Sequence, residues 1–326
     1  MTNTRFFFCR SFSAVSMLKS FKAELLLVFI TLIWGATFVI IKNALVDVPP
    51  FLYSGLRFAL ASIIALALWW KYIRGITKTE FWQGILLGVF FSVGFLLQTW
   101  GLNYTTVSKS AFITGAMVIF APITYWIVER RAISLFQKIG VVVVITGLWI
   151  FAKPDFANLN MGDIATLACS ACWGIYITYT DVFTRNSTTI GILSVRLAIV
   201  QFVMTTFVAM GAYFCFEGSP SRFVGDVARA LPSTPFIIAV LYTAILGSVV
   251  ATYIQTRFQR ETTPVKTALI FSIEPILASA MAVVFLHESF RFSEVCGGAL
   301  VIGGVLVAEI GDAIWKKGPS SQNNHF

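Results

Sequence analysis

Residues 24–41 read ELLLVFITLIWGATFVII, 18 positions in which Glu24 is the only charge. Wound as a helix at about 1.5 Å per residue, a run of that length comes close to the ~30 Å hydrocarbon thickness of a bilayer. A helix on the surface of a soluble core would return a polar residue to one face every turn; after Glu24 this run offers only Thr31 and Thr37 as conventional polar side chains. The stretch is a membrane helix, and the rest of the chain is read from it.

Runs of the same kind recur at 50–70, 82–102, 110–128, 136–152, 161–180, 190–213, 236–256, 267–286 and 295–312. They account for a composition of 57% hydrophobic and 12% charged residues over 326 positions, with a mean hydropathy of +0.82. Soluble domains carry about 25% charged residues, so a soluble enzyme is excluded. No strand-period alternation competes with the long runs, which excludes a membrane barrel. The expectation is an all-α membrane protein of ten transmembrane helices.

The net charge of +9 does not point to nucleic acid, because the basic residues are spread over short loops rather than gathered in a stripe. With the N-terminus inside, 16 Lys and Arg fall in inner segments and 6 in outer ones, and Arg57 and Arg196, inside spans, complete the 24. This bias predicts that both termini are cytoplasmic. Residues 1–22 form a basic N-terminal segment with Arg5, Arg10, Lys19 and Lys22 and no acid. It reads either as a targeting segment or as an extension ahead of a start at Met17. Residues 314–326 form a cytoplasmic tail.

Five cysteines and two histidines give no metal-ligand or nucleophile spacing. Cys169 and Cys172 fall one turn apart inside an apolar helix, as packing residues. No cofactor and no metal are expected, and no phosphate-binding G-x-x-x-x-G-K-[ST] loop is present.

The chain is internally repeated. Ile33-Trp34-Gly35 returns as Cys172-Trp173-Gly174, and Leu56-Arg57-Phe58-Ala59 as Val195-Arg196-Leu197-Ala198, both displaced by 139 positions. Gln98, Thr105-Thr106 and Lys109 return as Gln255, Thr262-Thr263 and Lys266, displaced by 157. One insertion reconciles the two offsets, and the polar stretch 217–235 can hold it. The halves are 23–153 and 161–313, five helices each. Because five is odd, the second half enters the membrane in the opposite sense, giving two inverted five-helix repeats of the kind secondary transporters use.

In this order the motifs resemble the EamA-type ten-helix permeases of the drug/metabolite transporter superfamily. The matching residues are Trp34-Gly35, Arg57-Phe58, Glu274-Pro275, His287-Glu288 and the glycine-rich last helix with Gly297, Gly298, Gly303 and Gly304. The resemblance implies a central cavity opened alternately to each side and movement of small metabolites, often amino acids and often outward. The setting expected is a bacterial inner (plasma) membrane. One departure is visible: Pro122 follows Lys109 by 13 residues, whereas Pro275 follows Lys266 by 9. Symmetric roles for the fourth and ninth helices are therefore not expected.

Candidate pathway residues follow from what an apolar span tolerates. Arg57 and Arg196 are costly in lipid and are expected to face the bundle or snorkel; the guanidinium fork suits a substrate's anionic group, and locking helices together is the alternative. Glu274 is the only acid well inside a span, and a carboxylate there can exchange protons; Pro275 beside it removes a backbone donor and disturbs the helix, and a kinked packing helix whose Glu pairs with a neighbouring polar residue is the alternative. Trp34, Trp173, Tyr176, Tyr179, Gln98, Gln255, Thr37 and Ser272 are expected to line a cavity or pack helices. Lys109 and Lys266 begin helices at opposite faces as snorkelling or entrance charges, and Glu288 caps the last helix. Gly84, Gly88 and Ser92 form a close-packing stripe, compatible with a monomer or a homodimer.

The functional expectation is a secondary transporter in the lipid bilayer, moving a small molecule and exporting it, with proton coupling through Glu274 and uncoupled facilitated exit as the two options. An intramembrane enzyme or a non-transporting receptor or channel is the alternative. An enzyme would need a nucleophile and base together in the spans, and the spans place no His beside Glu274.

Overall fold

The structure, a computed structural model, describes residues 3–152, 159–286 and 291–315. His287 and Glu288 lie outside the described residues, as does the tail from 316. The described chain is helical throughout: α1 (Asn3–Ala44), α2 (Pro50–Ile73), α3 (Lys78–Tyr104), α4 (Val107–Gly115), α5 (Met117–Glu129), α6 (Leu135–Ala152), α7 (Met161–Thr184), α8 (Ile190–Phe216), α9 (Pro220–Ala230), α10 (Thr234–Tyr242), a π-helical segment (Thr243–Val250), α11 (Ala251–Phe258), α12 (Pro264–Phe271), α13 (Glu274–Leu286) and α14 (Phe292–Trp315).

Local chemistry sets these boundaries. Thr77 with Glu80 and Asn160 with Asp163 close reciprocal capping boxes at the starts of α3 and α7, satisfying orphan N–H groups. Pro begins α2, α9 and α12, where its missing N–H costs nothing. Arg130 ends α5 in the left-handed region, φ 55°, with its N–H on the Trp126 carbonyl.

Among the described residues, eight helical stretches are long and apolar enough to cross a membrane, and Leu135–Phe151 is a shorter apolar helix. Met161–Thr184 was expected as an equal span, yet it falls outside that set. Asp163, Asp181, Thr166, Thr178, Thr180 and Thr184 lower its hydropathy, and all six are buried in the protein. Side chains turned to the lipid must be apolar, whereas those turned inward need not be. Large apolar side chains accordingly cover the outside, among them Phe29, Ile63, Val142, Trp149 and Phe207, the surface a lipid bilayer requires.

The insertion within the second repeat is α9, strongly amphipathic, its Phe223 and Val227 packed on a core that includes Leu45, Tyr53 and Tyr213.

Equivalent helices of the two halves run antiparallel. In the α6/α14 pair, Gly140 meets Gly304 and Ala308 while Gly147 meets Gly297 and Val301, so one number rises as the other falls. Between α2 and α8, Gly55 meets Met210, Ser62 and Thr206 are bonded at 3.4 Å, and Gly75 meets Arg196. Between the broken helices, Ser279 bonds Ser108 at 3.4 Å and Gly115 touches Pro275. The second half is therefore inverted.

The Trp-Gly motif has a packing reason. A Cβ on Gly35 would stand 2.7 Å from Leu277 Cβ, and one on Gly174 would stand 2.6 Å from Phe120 Cβ. Leu277 and Phe120 are themselves displaced by 157, so one close approach, first helix of one half on fourth helix of the other, is built twice. The Gly84, Gly88 and Ser92 stripe is used within the chain: it lies on Val200, Met204 and Thr205 of α8.

Candidate functional site

The two broken helices begin alike. Thr106 and Thr263 cap α4 and α12 by accepting from the N–H of Lys109 at 3.2 Å and of Lys266 at 3.3 Å. Each helix then breaks at its middle, at Ala116 (φ −62°, ψ −9°) and at Ser272 (φ −67°, ψ −5°). The offset of 157 places Ala116 opposite Ile273, so the interruptions coincide. The asymmetry expected from the prolines is thus absent from the break itself. Pro122 lies inside the continuous α5, and Pro275 follows the break, in the first turn of α13, where no donor is needed.

Around these breaks lies a cavity lined by Trp34, Thr37, Phe95, Gln98, Thr114, Met117, Trp173, Ile177, Gln255, Phe271 and Glu274. The cavity is small, about 30 Å³ in volume. The lining is paired by the repeat: Trp34 with Trp173, Gln98 with Gln255, Thr114 with Phe271, and Met117 with Glu274. The cavity therefore sits where the two halves meet, and Glu274, opposite Met117, gives it a charge-bearing side on one half alone.

Its walls are held rigidly. Trp34 donates its indole N–H to the Gly247 carbonyl at 3.0 Å and packs edge-on against Phe271 at 5.0 Å. Trp173 meets Phe95 edge-on at 4.8 Å. Gln98 donates to Thr114 at 3.2 Å, while Gln255 donates to Gln259, whose own amide reaches the Ile177 carbonyl at 2.6 Å. Glu274, 6% exposed, has no hydrogen-bond partner among the described residues. A buried carboxylate of that kind is available to a proton or to a cationic group entering the cavity.

Arg57 stands behind this wall. Its guanidinium lies over Phe95 at 4.6 Å and Phe58 at 4.8 Å, Nε donates to Ser248 Oγ at 3.2 Å, and Nη2 has no partner. The π-helical segment makes this arrangement: Ser248 Oγ bonds the Thr243 carbonyl at 2.8 Å, five residues back, while Gly247 offers its carbonyl to Trp34. Such π segments recur at functional sites.

Arg196 is not brought to the cavity. It spans out to the α2–α3 connection, where Nη1 bonds Glu80 at 2.9 Å and Nε bonds the Tyr72 carbonyl at 2.9 Å. Arg196 thus makes the helix-locking contact expected as the alternative to substrate binding, whereas Arg57 lies near the cavity.

Tyr176 is fully buried and donates to Gln201 at 2.9 Å rather than lining the space. Tyr179 stacks on Phe90 at 6.4 Å, and Ser272 bonds back to the Ala268 carbonyl at 2.8 Å. Pro275 packs against Gly115 and so closes the seam between the broken helices. Phe95, Thr114, Met117, Ile177 and Phe271 were not singled out in the sequence. Carrying Gln98 and Glu274 across the repeat by 157 reaches Gln255 and Met117, and the same step joins Thr114 to Phe271. Among the described residues no three His, Cys, Asp or Glu side chains gather as a metal site.

A duplicated, inverted helical bundle with a cavity at the seam of its halves defines a class of membrane transporters. The chain belongs to the EamA-like transporter family, which matches residues 21–152 and 160–309. It is 27% identical to an uncharacterised transporter of Archaeoglobus fulgidus, over 90% of this chain and 87% of that protein. It is 22% identical to the uncharacterised transporter YoaV of Bacillus subtilis, over 88% of this chain and 96% of that one. A probable amino-acid metabolite efflux pump of Salmonella typhimurium is 22% identical over 89% of this chain and 95% of its own length. One crystal structure superposes with a TM-score of 0.69 at 17% identity, covering 89% of this chain and 98% of the other, a likeness of fold.

Proposed function

We propose that the chain is a secondary carrier that exports a small metabolite, an amino acid or a related compound, by alternating access through the cavity at the repeat seam. It crosses the membrane ten times, as two repeats over 23–153 and 161–313, with both termini cytoplasmic in a bacterial inner membrane. The observation that carries this reading is the paired lining. An inverted repeat builds two pseudo-equivalent exits from one central site, and the residues at that site come from both halves in register. The efflux pump named above supports the substrate class.

Glu274 receives a proton or the amino group of the substrate, and its competition between the two couples flux to the proton gradient. Arg57 supplies positive charge behind Thr37 and Phe95, with Nη2 open to a carboxylate once that wall shifts. Trp34, Trp173, Phe95 and Phe271 hold the apolar body.

Uptake of labelled amino acids, with nucleobases and organic cations alongside, into proteoliposomes with and without an imposed pH gradient tests this. Saturable, gradient-dependent flux is expected. Saturable flux indifferent to the gradient would remove the coupling role of Glu274, and no flux from folded protein would overturn the carrier reading.

A further inference from the structure

The helix breaks and the charges at the two ends of the bundle form one device. At the end where α3 passes into α4, Lys109 Nζ bonds Asp163 Oδ2 at 2.6 Å. Asp163 is the buried member, 1% exposed, and is already held by Thr105 Oγ1 at 2.8 Å and by the Asn160 N–H at 2.9 Å. The carboxylate, in the first turn of α7, is thus held by its own cap and by Thr105 of the α3–α4 connection, and the lysine is mounted on the element that follows that connection. That element is α4, nine residues or about 13 Å long, which ends at the break beside Thr114 and Met117 of the cavity.

At the opposite end, Lys266 Nζ bonds Glu309 Oε2 at 2.5 Å, with side chains 13% and 17% exposed. Lys266 is mounted on α12, eight residues long, which ends at the break beside Phe271 and Glu274. The repeat relates the two arrangements twice over: 157 carries Thr106 and Lys109 to Thr263 and Lys266, and 139 carries Glu24 to Asp163. Glu24 stands beside Glu309 and accepts from Ser20 at 2.8 Å. Each end of the bundle therefore joins the tip of one short half-helix to acid on a neighbouring helix, and each half-helix leads to the same cavity.

We infer that Lys109–Asp163 and Lys266–Glu309 are two latches, each releasing its half-helix, α4 or α12, to swing about the break at Ala116 or Ser272–Ile273 and open the cavity to one face. Both latches are closed in this structure, in keeping with the small volume of the cavity. Breaking one removes a partly buried ion pair, whereas the carboxylate at the first latch keeps its other two donors. Release of α4 therefore does not strand Asp163 without partners. The inference rests on the carrier reading for its purpose, but not for its test.

The experiment is sided labelling in proteoliposomes of the full chain with its five native cysteines replaced. Thr114→Cys serves as the reporter and a membrane-impermeant maleimide as the probe. Lys109→Met is expected to raise labelling several-fold from the Lys109 face and Lys266→Met from the opposite face, with Asp163→Asn and Glu309→Gln reproducing each effect. The reversed pair Lys109→Asp with Asp163→Lys is expected to return labelling toward the parent level. Unfolding curves recorded on every variant separate gating from loss of fold. Labelling that rises from the same face in both lysine variants, or in neither although both are folded, overturns the latches. The readout needs no substrate. Sided labelling without flux of any compound would keep the latches and remove the carrier reading, and saturable flux without sided labelling would do the reverse.

Discussion

Replacing Gly174 by alanine tests the seam between the halves. A Cβ there would stand 2.6 Å from Phe120 Cβ, 2.8 Å from the Ala121 backbone N and 2.9 Å from the Phe120 carbonyl carbon. Two of those atoms are backbone, so no rotamer relieves the contact. α7 and α5 must part by roughly 1 Å, an overpacking that costs about 1–3 kcal/mol. Alanine also recovers up to ~1 kcal/mol of helix propensity, which would mask part of the loss. Gly303→Ala supplies the reference, because nothing lies within 4 Å of its added Cβ and it gains the same propensity. The Gly174→Ala protein is expected to be about 1–3 kcal/mol less stable than the Gly303→Ala protein in denaturant unfolding in one detergent. Gly35→Ala, 2.7 Å from Leu277 Cβ, is expected to match it. Equal stability of Gly174→Ala and Gly303→Ala would refute the view that the Trp-Gly glycines exist for helix approach.

Ser248→Ala removes the side-chain hydrogen-bond acceptor that the described residues give the buried Arg57 and is expected to cost about 1–3 kcal/mol, read by the same unfolding assay. Arg57→Gln is expected to raise the KM of transport for carboxylate-bearing substrates, while Arg196→Gln, which frees Glu80 and the Tyr72 carbonyl near the surface, leaves KM within about twofold and costs about 0–1 kcal/mol; equal effects on KM would reject the assignment of Arg57 alone to the substrate. Glu217 accepts from the Phe51 and Leu52 N–H groups beside Arg222, Asp226 and Arg229, and partial burial pushes its carboxyl up to about 7. The folded protein therefore binds more protons than the unfolded one between about 4.5 and 7, and stability falls as pH rises through that window. Glu217→Gln is expected to flatten this slope, and an unchanged slope would reject Glu217 as its source.

Much of the fold was legible because lipid leaves few solutions: an apolar run of bilayer length must be a helix, and a repeat with an odd number of crossings is followed by an inverted one. The sixth helix shows the limit, since Asp163 and Asp181 are paid for inside the protein, by Lys109 and Arg185, and a hydropathy reading cannot see a partner. The helix breaks were legible only in part. Pro275 pointed to the ninth helix, but Ala116 breaks the fourth with no proline, a consequence of packing at the seam. The π segment left the Gly247-Ser248 pair as its one trace. In the candidate site, Trp34, Gln98, Trp173, Gln255 and Glu274 line the cavity as positions read from sequence, because polar or aromatic residues in mid-span stand out against an apolar background. Met117 and Ile177 do not stand out, and Arg196 does so while belonging elsewhere, since depth along a helix does not reveal direction around it.

Carrier-type movement through the cavity that Glu274 lines links the fold to the proposed function. Its most direct test is uptake of the labelled amino-acid panel into proteoliposomes under an inward and an outward pH gradient, for the parent protein and for Glu274→Gln. The account requires saturable flux that responds to the gradient in the parent and loses that response in Glu274→Gln. Saturable flux whose gradient response survives in folded Glu274→Gln would contradict the role of the cavity carboxylate. Absence of flux from folded parent protein would contradict the carrier itself.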